Sequence, residues 1–266
     1  MSRPRSAPRW LAALAAIVLF YLMFPIFVIV PLSFSSGTYL SFPPPGWSLR
    51  WYQNFFGSDE WQASAVLSIW VGLSVTALSC VLGTPAAFGL VRGKFPGKRL
   101  INGFVLSPII VPGIIVAIGI YFVYARLGLI GHPVGLVLAH TCLAVPFVVI
   151  NVAAALYGFD ERLEQAALSL GATPWRAFWQ VTFPLIRPGV MAGAVFAFIT
   201  SFDELLVALF VSGTTAMTLP RLMWQEIRQD IDPTIAAAST LLLVLTTALL
   251  LTVEFLRRRG ERLRNA

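Results

Sequence analysis

The sequence predicts an all-α integral membrane protein with six transmembrane helices. Hydrophobic residues make up 58% of the 266 residues and charged residues only 12%, whereas soluble domains carry about 25% charged residues. Roughly 20 apolar helical residues cross a hydrocarbon core about 30 Å thick, and six runs reach this length. The runs are residues 10–32, 63–91, 100–125, 134–157, 188–211 and 233–256.

The lysines and arginines predict how these helices are oriented. If the N-terminus is cytoplasmic, 15 of the 19 basic residues fall on the cytoplasmic side, as the positive-inside rule requires. An even number of spans then places both termini in the cytoplasm. We therefore expect a cytoplasmic N-terminus at 1–9, a membrane domain at 10–256 and a basic cytoplasmic tail at 257–266. The basic residues on the other side are Arg50, Arg126, Arg221 and Arg228.

The first apolar run is predicted to be a retained helix rather than a signal peptide. It extends from Trp10 to Pro31, which is longer than the hydrophobic part of a signal peptide, and no small-residue cleavage site follows closely. The aromatic residues of the next loop suit the lipid headgroup layer, or else form a surface for an extracytoplasmic partner. These residues are Trp47, Trp51, Tyr52, Phe55 and Phe56.

Proline interrupts the third and fourth apolar runs. Pro108, Pro112 and Pro146 each remove a backbone hydrogen bond, and in lipid the freed carbonyl needs a partner from a neighbouring helix or water. Such interrupted spans either line a cavity or simply kink. Small residues such as Gly83 and Ala87 predict that helices approach each other closely.

The cytoplasmic segment 158–187 is predicted to form two short helices joined by a bend. Gly171 suits the left-handed position after a first helix, Thr173 resembles an N-cap and Pro174 a first helical residue, and Pro184 is expected to end the second helix. Such a segment either lies flat on the lipid surface or inserts into a groove on a cytoplasmic partner. The bend favours insertion into a groove on a cytoplasmic partner. The apolar stripe of the first helix consists of Leu163, Ala166, Ala167 and Leu170.

Two carboxylates occur about ten residues inside the fifth apolar run, residues 188–211. Asp203 and Glu204 are candidates for a cation pathway, because charges inside a membrane are costly and face protein or water. Alternatively, they hold neighbouring helices together. His140, in the fourth run, is expected to form a hydrogen-bonded helix contact.

The stretch QAALSLGATPWRAFWQVTFP, residues 165–184, contains a recognisable spacing. It begins with Ala166 and Ala167, and three residues separate Ala167 from Gly171. Nine residues then separate Gly171 from Val181, and Pro184 follows three positions after Val181. This spacing resembles the EAA loop of ATP-binding-cassette importer permeases, which reads EAA, three residues, Gly, nine residues, Ile, any residue, Leu-Pro. The motif's glutamate corresponds to Gln165, with Glu164 one residue earlier. Val181 and Phe183 are conservative replacements.

Residues 200–213 and 218–240 resemble the polyamine and opine branch of this family, closest to the second permease of spermidine/putrescine importers. The resemblance implies a type I importer permease fold in the bacterial inner membrane. It also implies half of a pore for a small cationic solute, a polyamine in the first place, with an opine, iron or another solute as the alternative. The loop residues that would meet the ATPase are Glu164, Gln165, Ala166, Ala167, Gly171 and Pro184.

The implied partners are a cytoplasmic ATPase dimer, a second homologous permease, an extracytoplasmic solute-binding protein and membrane lipid. This sequence contains no GxxxxGK[ST] phosphate loop, so ATP and Mg are expected on the ATPase and no cofactor or metal on this chain. No catalytic motif such as HExxH or GxSxG occurs, and two histidines leave little for catalysis. No basic-aromatic surface for nucleic acid is present. A secondary transporter remains a rival, although it would need no ATPase-docking loop.

Overall fold

The chain folds into helices of very different length. A computed structural model describes residues 9–229 and 231–264, and within these ranges no β-strand occurs. A π-helical turn, Phe178–Thr182, joins α8 to α9. The helices are α1 (Arg9–Ser33), α2 (Arg50–Gly57), α3 (Asp59–Arg92), α4 (Lys98–Ile110), α5 (Gly113–Leu127), α6 (Pro133–Tyr157), α7 (Glu161–Ser169), α8 (Pro174–Ala177), α9 (Phe183–Phe202), α10 (Leu206–Val211), α11 (Leu219–Gln229) and α12 (Thr234–Arg264).

The described helices agree with the predicted number of spans. Five helical segments are long and apolar enough to cross a membrane, and a bent pair of helices makes a sixth if it counts as one span. The five single segments are Trp10–Ser33, Asp59–Arg92, Pro133–Tyr157, Pro174–Phe202 and Thr234–Thr252. Residues 1–8, 230, 265 and 266 lie outside the described residues, as do the side chains of Arg9, Val253 and 256–264, so the orientation derived from the terminal arginines stays a prediction.

The third predicted span is not one continuous helix. α4 and α5 meet at an angle of 105°. The break lies at Val111 and Pro112, which have extended backbone with ψ of 134° and 128°. Proline pushes the preceding residue out of the helical region and has no N–H to donate. Pro108, by contrast, stays inside α4.

The fifth predicted span begins earlier and ends earlier than expected. The prediction that Pro184 ends the preceding helix is wrong, because the chain is helical from Pro174 to Phe202. The Phe183 N–H donates to the Phe178 carbonyl, five residues back. A proline ring would clash with the carbonyl four residues earlier in a regular α-helix, and the wider π turn just before Pro184 accommodates it.

The larger of two compact units comprises Glu60–Leu222 and the chain from Leu245, and α6 lies at its core. A Cβ on Gly83 of α3 would lie 2.8 Å from Cβ of Val148 in α6, and a Cβ on Gly193 of α9 would lie 2.9 Å from Cα of Val148. Both glycines therefore let a helix approach α6 at backbone distance, as small residues do in membranes. The close approach predicted at Gly83 is confirmed.

The smaller unit comprises the chain up to Asp59 and Met223–Val244. In it, α2 places Trp51 and Phe55 inward, both less than one-tenth exposed, whereas Trp47 and Phe56 are exposed. Asn54 Nδ2 donates to Thr234 Oγ1 at 2.8 Å, which fastens α2 to the first turn of α12. The aromatic loop is thus partly a packing element, and only some of its rings remain available to the headgroup layer.

Candidate functional site

The bend in the segment 158–187 forms as its local sequence predicts. The Gly171 N–H donates to the Leu168 carbonyl at 3.0 Å and the Ala172 N–H to the Ala167 carbonyl at 3.1 Å. This pair of bonds is the Schellman motif, which requires a left-handed residue at the glycine position. Gly171 has φ of +89°. A glycine meets this requirement without the steric cost of a Cβ.

The second helix of the segment also begins as predicted. Thr173 has extended backbone, and its Oγ1 accepts from the Arg176 N–H at 3.3 Å. Pro174 is the first helical residue, where its missing N–H costs nothing because that donor would be unpaired anyway. These two residues fix the direction in which the chain leaves the bend.

The apolar stripe of α7 faces away from the rest of the chain. None of the residues of α7 is buried, and Leu170, at its end, is 90% exposed. Trp175, just past the bend, is 72% exposed and stacks edge-on with Trp179 at 5.5 Å between ring centroids. An apolar surface this exposed at a helical bend is a candidate interaction site. We call the exposed residues of α7, together with the residues from Leu170 to Trp175, the coupling surface.

Gln165 and Glu164 face different environments. Gln165 is exposed on α7, on the coupling surface. The Glu164 carboxylate points inward instead, where its Oε2 accepts from Arg92 Nη1 at 2.7 Å and from Thr182 Oγ1 at 2.8 Å. Glu164, one of the residues that the resemblance implies would meet the ATPase, therefore does not take the place of the motif's glutamate on the exposed face of α7.

Asp203 and Glu204 lie at the end of a helix, not in the middle of one. Asp203 directly follows Phe202, the last residue of α9, and α10 begins at Leu206. The predicted position ten residues inside a continuous helix is wrong. The span starts earlier than expected, at Pro174, so a membrane-length helix is complete by Phe202. Because α9 has 20 residues, Asp203 lies about 30 Å along the helix axis from the π turn.

The two carboxylates have different surroundings. Glu204 accepts from the Val207 and Ala208 N–H groups at 3.0 and 3.1 Å, so it caps α10 and satisfies donors that begin a helix without partners. Asp203 is exposed, and its carboxylate forms no hydrogen bond or ion pair with any other residue in the described ranges. Of the two, Asp203 is therefore the carboxylate open to a ligand.

A buried polar cluster holds the break between α9 and α10. His140 is fully buried; its Nδ1 is 3.0 Å from Ser201 Oγ and its Nε2 is 3.6 Å from Glu204 Oε2. The helix contact expected of His140 is confirmed. Its proximity to Glu204 is not predicted by the sequence, because the two residues are far apart in the chain and no motif links them.

Replacing Glu204 with alanine is expected to destabilise the protein by about 2 kcal/mol, the upper range for loss of a helix cap. Two N–H groups of α10 would lose their acceptor in an environment where water is scarce. The midpoint of thermal unfolding in detergent measures the effect. Asp203→Ala is the matched control, because Asp203 caps no N–H group of α10, and an equal fall in both midpoints would contradict the assignment.

Comparisons of this chain with known proteins point to one family of transport proteins. The family described as binding-protein-dependent transport system inner membrane component matches residues 79–262. The putrescine transport system permease protein PotI of Escherichia coli (strain K12) is 33% identical over 230 residues, covering 84% of this chain and 82% of PotI. The spermidine/putrescine transport system permease protein PotC of Haemophilus influenzae is 29% identical over 246 residues, covering 92% of this chain and 95% of PotC.

A solved structure supports the same fold. One chain of a bacterial ABC transporter that imports the acidic polysaccharide alginate superposes with a TM-score of 0.69. The match covers 97% of this chain and 99% of the other, at 15% sequence identity. At that identity the likeness concerns the fold alone.

Proposed function

The chain belongs to the binding-protein-dependent transport system inner membrane components, the multi-pass permease subunits of ATP-binding-cassette importers, and we propose that it forms half of a pore for a polyamine. Membership confirms the predicted type I permease fold and a transport subunit rather than an enzyme. It also sets aside the secondary transporter. Beyond family membership, we propose the solute, the partners and the orientation of the chain in the membrane.

The observation that carries the choice of a cationic solute is the open carboxylate of Asp203. It lies at the end of α9 opposite the coupling surface and has no partner among the described residues. A polyamine that enters at this end of the span would gain from a carboxylate, because hydrogen bonds to charged groups are the strong ones. PotI and PotC, which match most of this chain, are named for putrescine and spermidine. An opine, iron or another small solute is the alternative.

The proposed partners follow from the coupling surface and from family membership. An exposed apolar helix with a bend fits a groove on a cytoplasmic ATPase in the helix-in-groove manner. ATP and Mg would bind to an ATPase dimer, a second homologous permease would complete the pore, and an extracytoplasmic binding protein would deliver the solute. With the coupling surface in the cytoplasm, both termini lie there too.

Co-purification followed by reconstitution tests this function. The tagged chain is extracted gently from its native membrane, and the proteins that accompany it are identified by mass spectrometry. We expect an ATPase with a phosphate loop, a second six-span permease and a binding protein. The complex in proteoliposomes is then expected to take up radiolabelled putrescine only when ATP is present on the ATPase side.

Two outcomes would contradict different parts of the proposal. If no ATPase accompanies the chain under conditions that preserve other membrane complexes, the coupling surface is an interfacial anchor. If an ATPase is present but uptake of putrescine is absent, while excess spermidine leaves ATP hydrolysis unchanged, the solute is not a polyamine. Trehalose, a neutral solute, serves as the competitor that should have no effect on uptake.

A further inference from the structure

Glu164 differs from every other charged residue of α7. Its side chain is 23% exposed, compared with 62% for Glu161 one turn earlier. The carboxylate points toward the membrane helices, and a single oxygen, Oε2, accepts two hydrogen bonds, from Arg92 and from Thr182. One oxygen atom of Glu164 thus joins α7 to α3, through Arg92, and to the π turn before α9, through Thr182.

Arg92 depends on Glu164 for its charge compensation. It is the last residue of α3, and its guanidinium lies 5.3 Å from the ring centroids of both Phe88 and Phe159. Its Nη2 is buried and has no hydrogen-bond partner among the described residues. Glu161 is 3.7 Å from Nε and exposed, so it screens the cation weakly. Breaking a partly buried pair by removing one member costs more than breaking a surface pair.

Thr182 connects the same carboxylate to α9. It is fully buried and is the last residue of the π turn Phe178–Thr182. Turns of this kind are rare, interrupt the regular hydrogen-bond pattern of a helix and are frequently found at functional sites. The hydroxyl of Thr182 therefore holds α7 at a place where the helix that spans the membrane departs from regular geometry.

We propose that Glu164 is a positioning residue that passes movement of the coupling surface to α3 and α9 through Arg92 and Thr182. The proposal rests on the proposed function, in which ATP moves the coupling surface. It assigns Gln165 to the docking side of α7 and Glu164 to the opposite, membrane side. Contact with the ATPase and transmission to the pore are then carried by different residues of one helix.

Glu164→Gln tests the proposal, because it removes the charge and keeps the size of the side chain. We expect the ATPase to co-purify as with the unaltered chain and ATP to be hydrolysed. The number of putrescine molecules taken up per ATP should fall about tenfold, within the usual range of coupling between sites. Glu60→Gln, which removes an exposed carboxylate from the other end of α3, is the matched control and should leave this ratio unchanged.

A second pair of variants separates transmission from folding. Thr182→Val removes the hydroxyl at nearly constant volume and should lower uptake per ATP in the same direction, whereas Thr182→Ser keeps the donor and should restore it. A purely structural role would lower thermal stability and the yield of complex without changing the ratio of uptake to hydrolysis.

Each result has a distinct meaning. An unchanged ratio for Glu164→Gln, or loss of ATPase binding in that variant, would overturn the positioning role and leave the proposed function intact. If the unaltered complex shows no ATP-driven uptake of putrescine, the proposed function fails, and the positioning role fails with it.

Discussion

Gly171→Trp is expected to abolish solute uptake while leaving the amount of protein in the membrane unchanged. A Cβ on Gly171 would have no atom within 4 Å, so a side chain at this position begins in open space. The indole would occupy the space at the end of α7 that a docked ATPase requires. Uptake of radiolabelled putrescine, immunoblots of membranes and the ATPase recovered with the tagged chain measure the three quantities.

Backbone strain is the competing cause of such a loss, and Gly171→Ala controls for it. Any residue with a Cβ at φ of +89° costs roughly 1–2 kcal/mol, and alanine has this cost without the bulk of tryptophan. We expect Gly171→Ala to retain most of its association with the ATPase. Normal uptake by the tryptophan variant would contradict the docking role. If both variants lose uptake equally, the cause is backbone strain at the bend and not the bulk of the tryptophan.

Asp203→Asn is expected to reduce uptake of a polyamine by about tenfold to a hundredfold, the scale of a hydrogen bond to a charged group. Asparagine keeps the shape of the side chain and removes only the charge that attracts the cation. Because Asp203 has no partner among the described residues, assembly with the ATPase should be preserved. Initial rates of putrescine uptake, compared at equal amounts of purified complex, measure the effect.

Glu204→Gln is the matched variant for this prediction. It also removes one carboxylate from the break, but this carboxylate caps α10 and lies beside His140. We expect Glu204→Gln to lower the yield and thermal stability of the complex to the same extent as it lowers uptake. If Asp203→Asn lowers uptake and assembly equally, Asp203 holds helices together and is not part of the cation pathway.

Local features of the coupling segment could be predicted from sequence because they depend on residues within a few positions. Gly171 was expected in a left-handed conformation, Thr173 as a cap and Pro174 as a first helical residue, and all three are found. The six spans could be predicted for a similar reason, since length and hydropathy alone determine whether a helix can cross a membrane.

Features that depend on distant contacts could not be predicted. The π turn overrides the helix-ending tendency of Pro184, and nothing in the neighbouring sequence indicates it. The break after Phe202 contains neither glycine nor proline, and it is stabilised by Glu204 together with Ser201 and His140. Arg92 was counted only as a basic residue at a helix end, because its partner Glu164 is 72 positions away.

We propose that the coupling surface docks onto an ATPase, and a photo-cross-link from Leu170 is the sharpest test of this docking. The chain has two cysteines, Cys80 and Cys142; with both replaced by alanine, Leu170→Cys carries a benzophenone maleimide. Tyr39→Cys, in the loop predicted on the opposite side of the membrane, is the control. We expect illumination in native membranes to join position 170, and not position 39, to an ATPase with a phosphate loop. Cross-links from position 170 to lipid alone would contradict the claim.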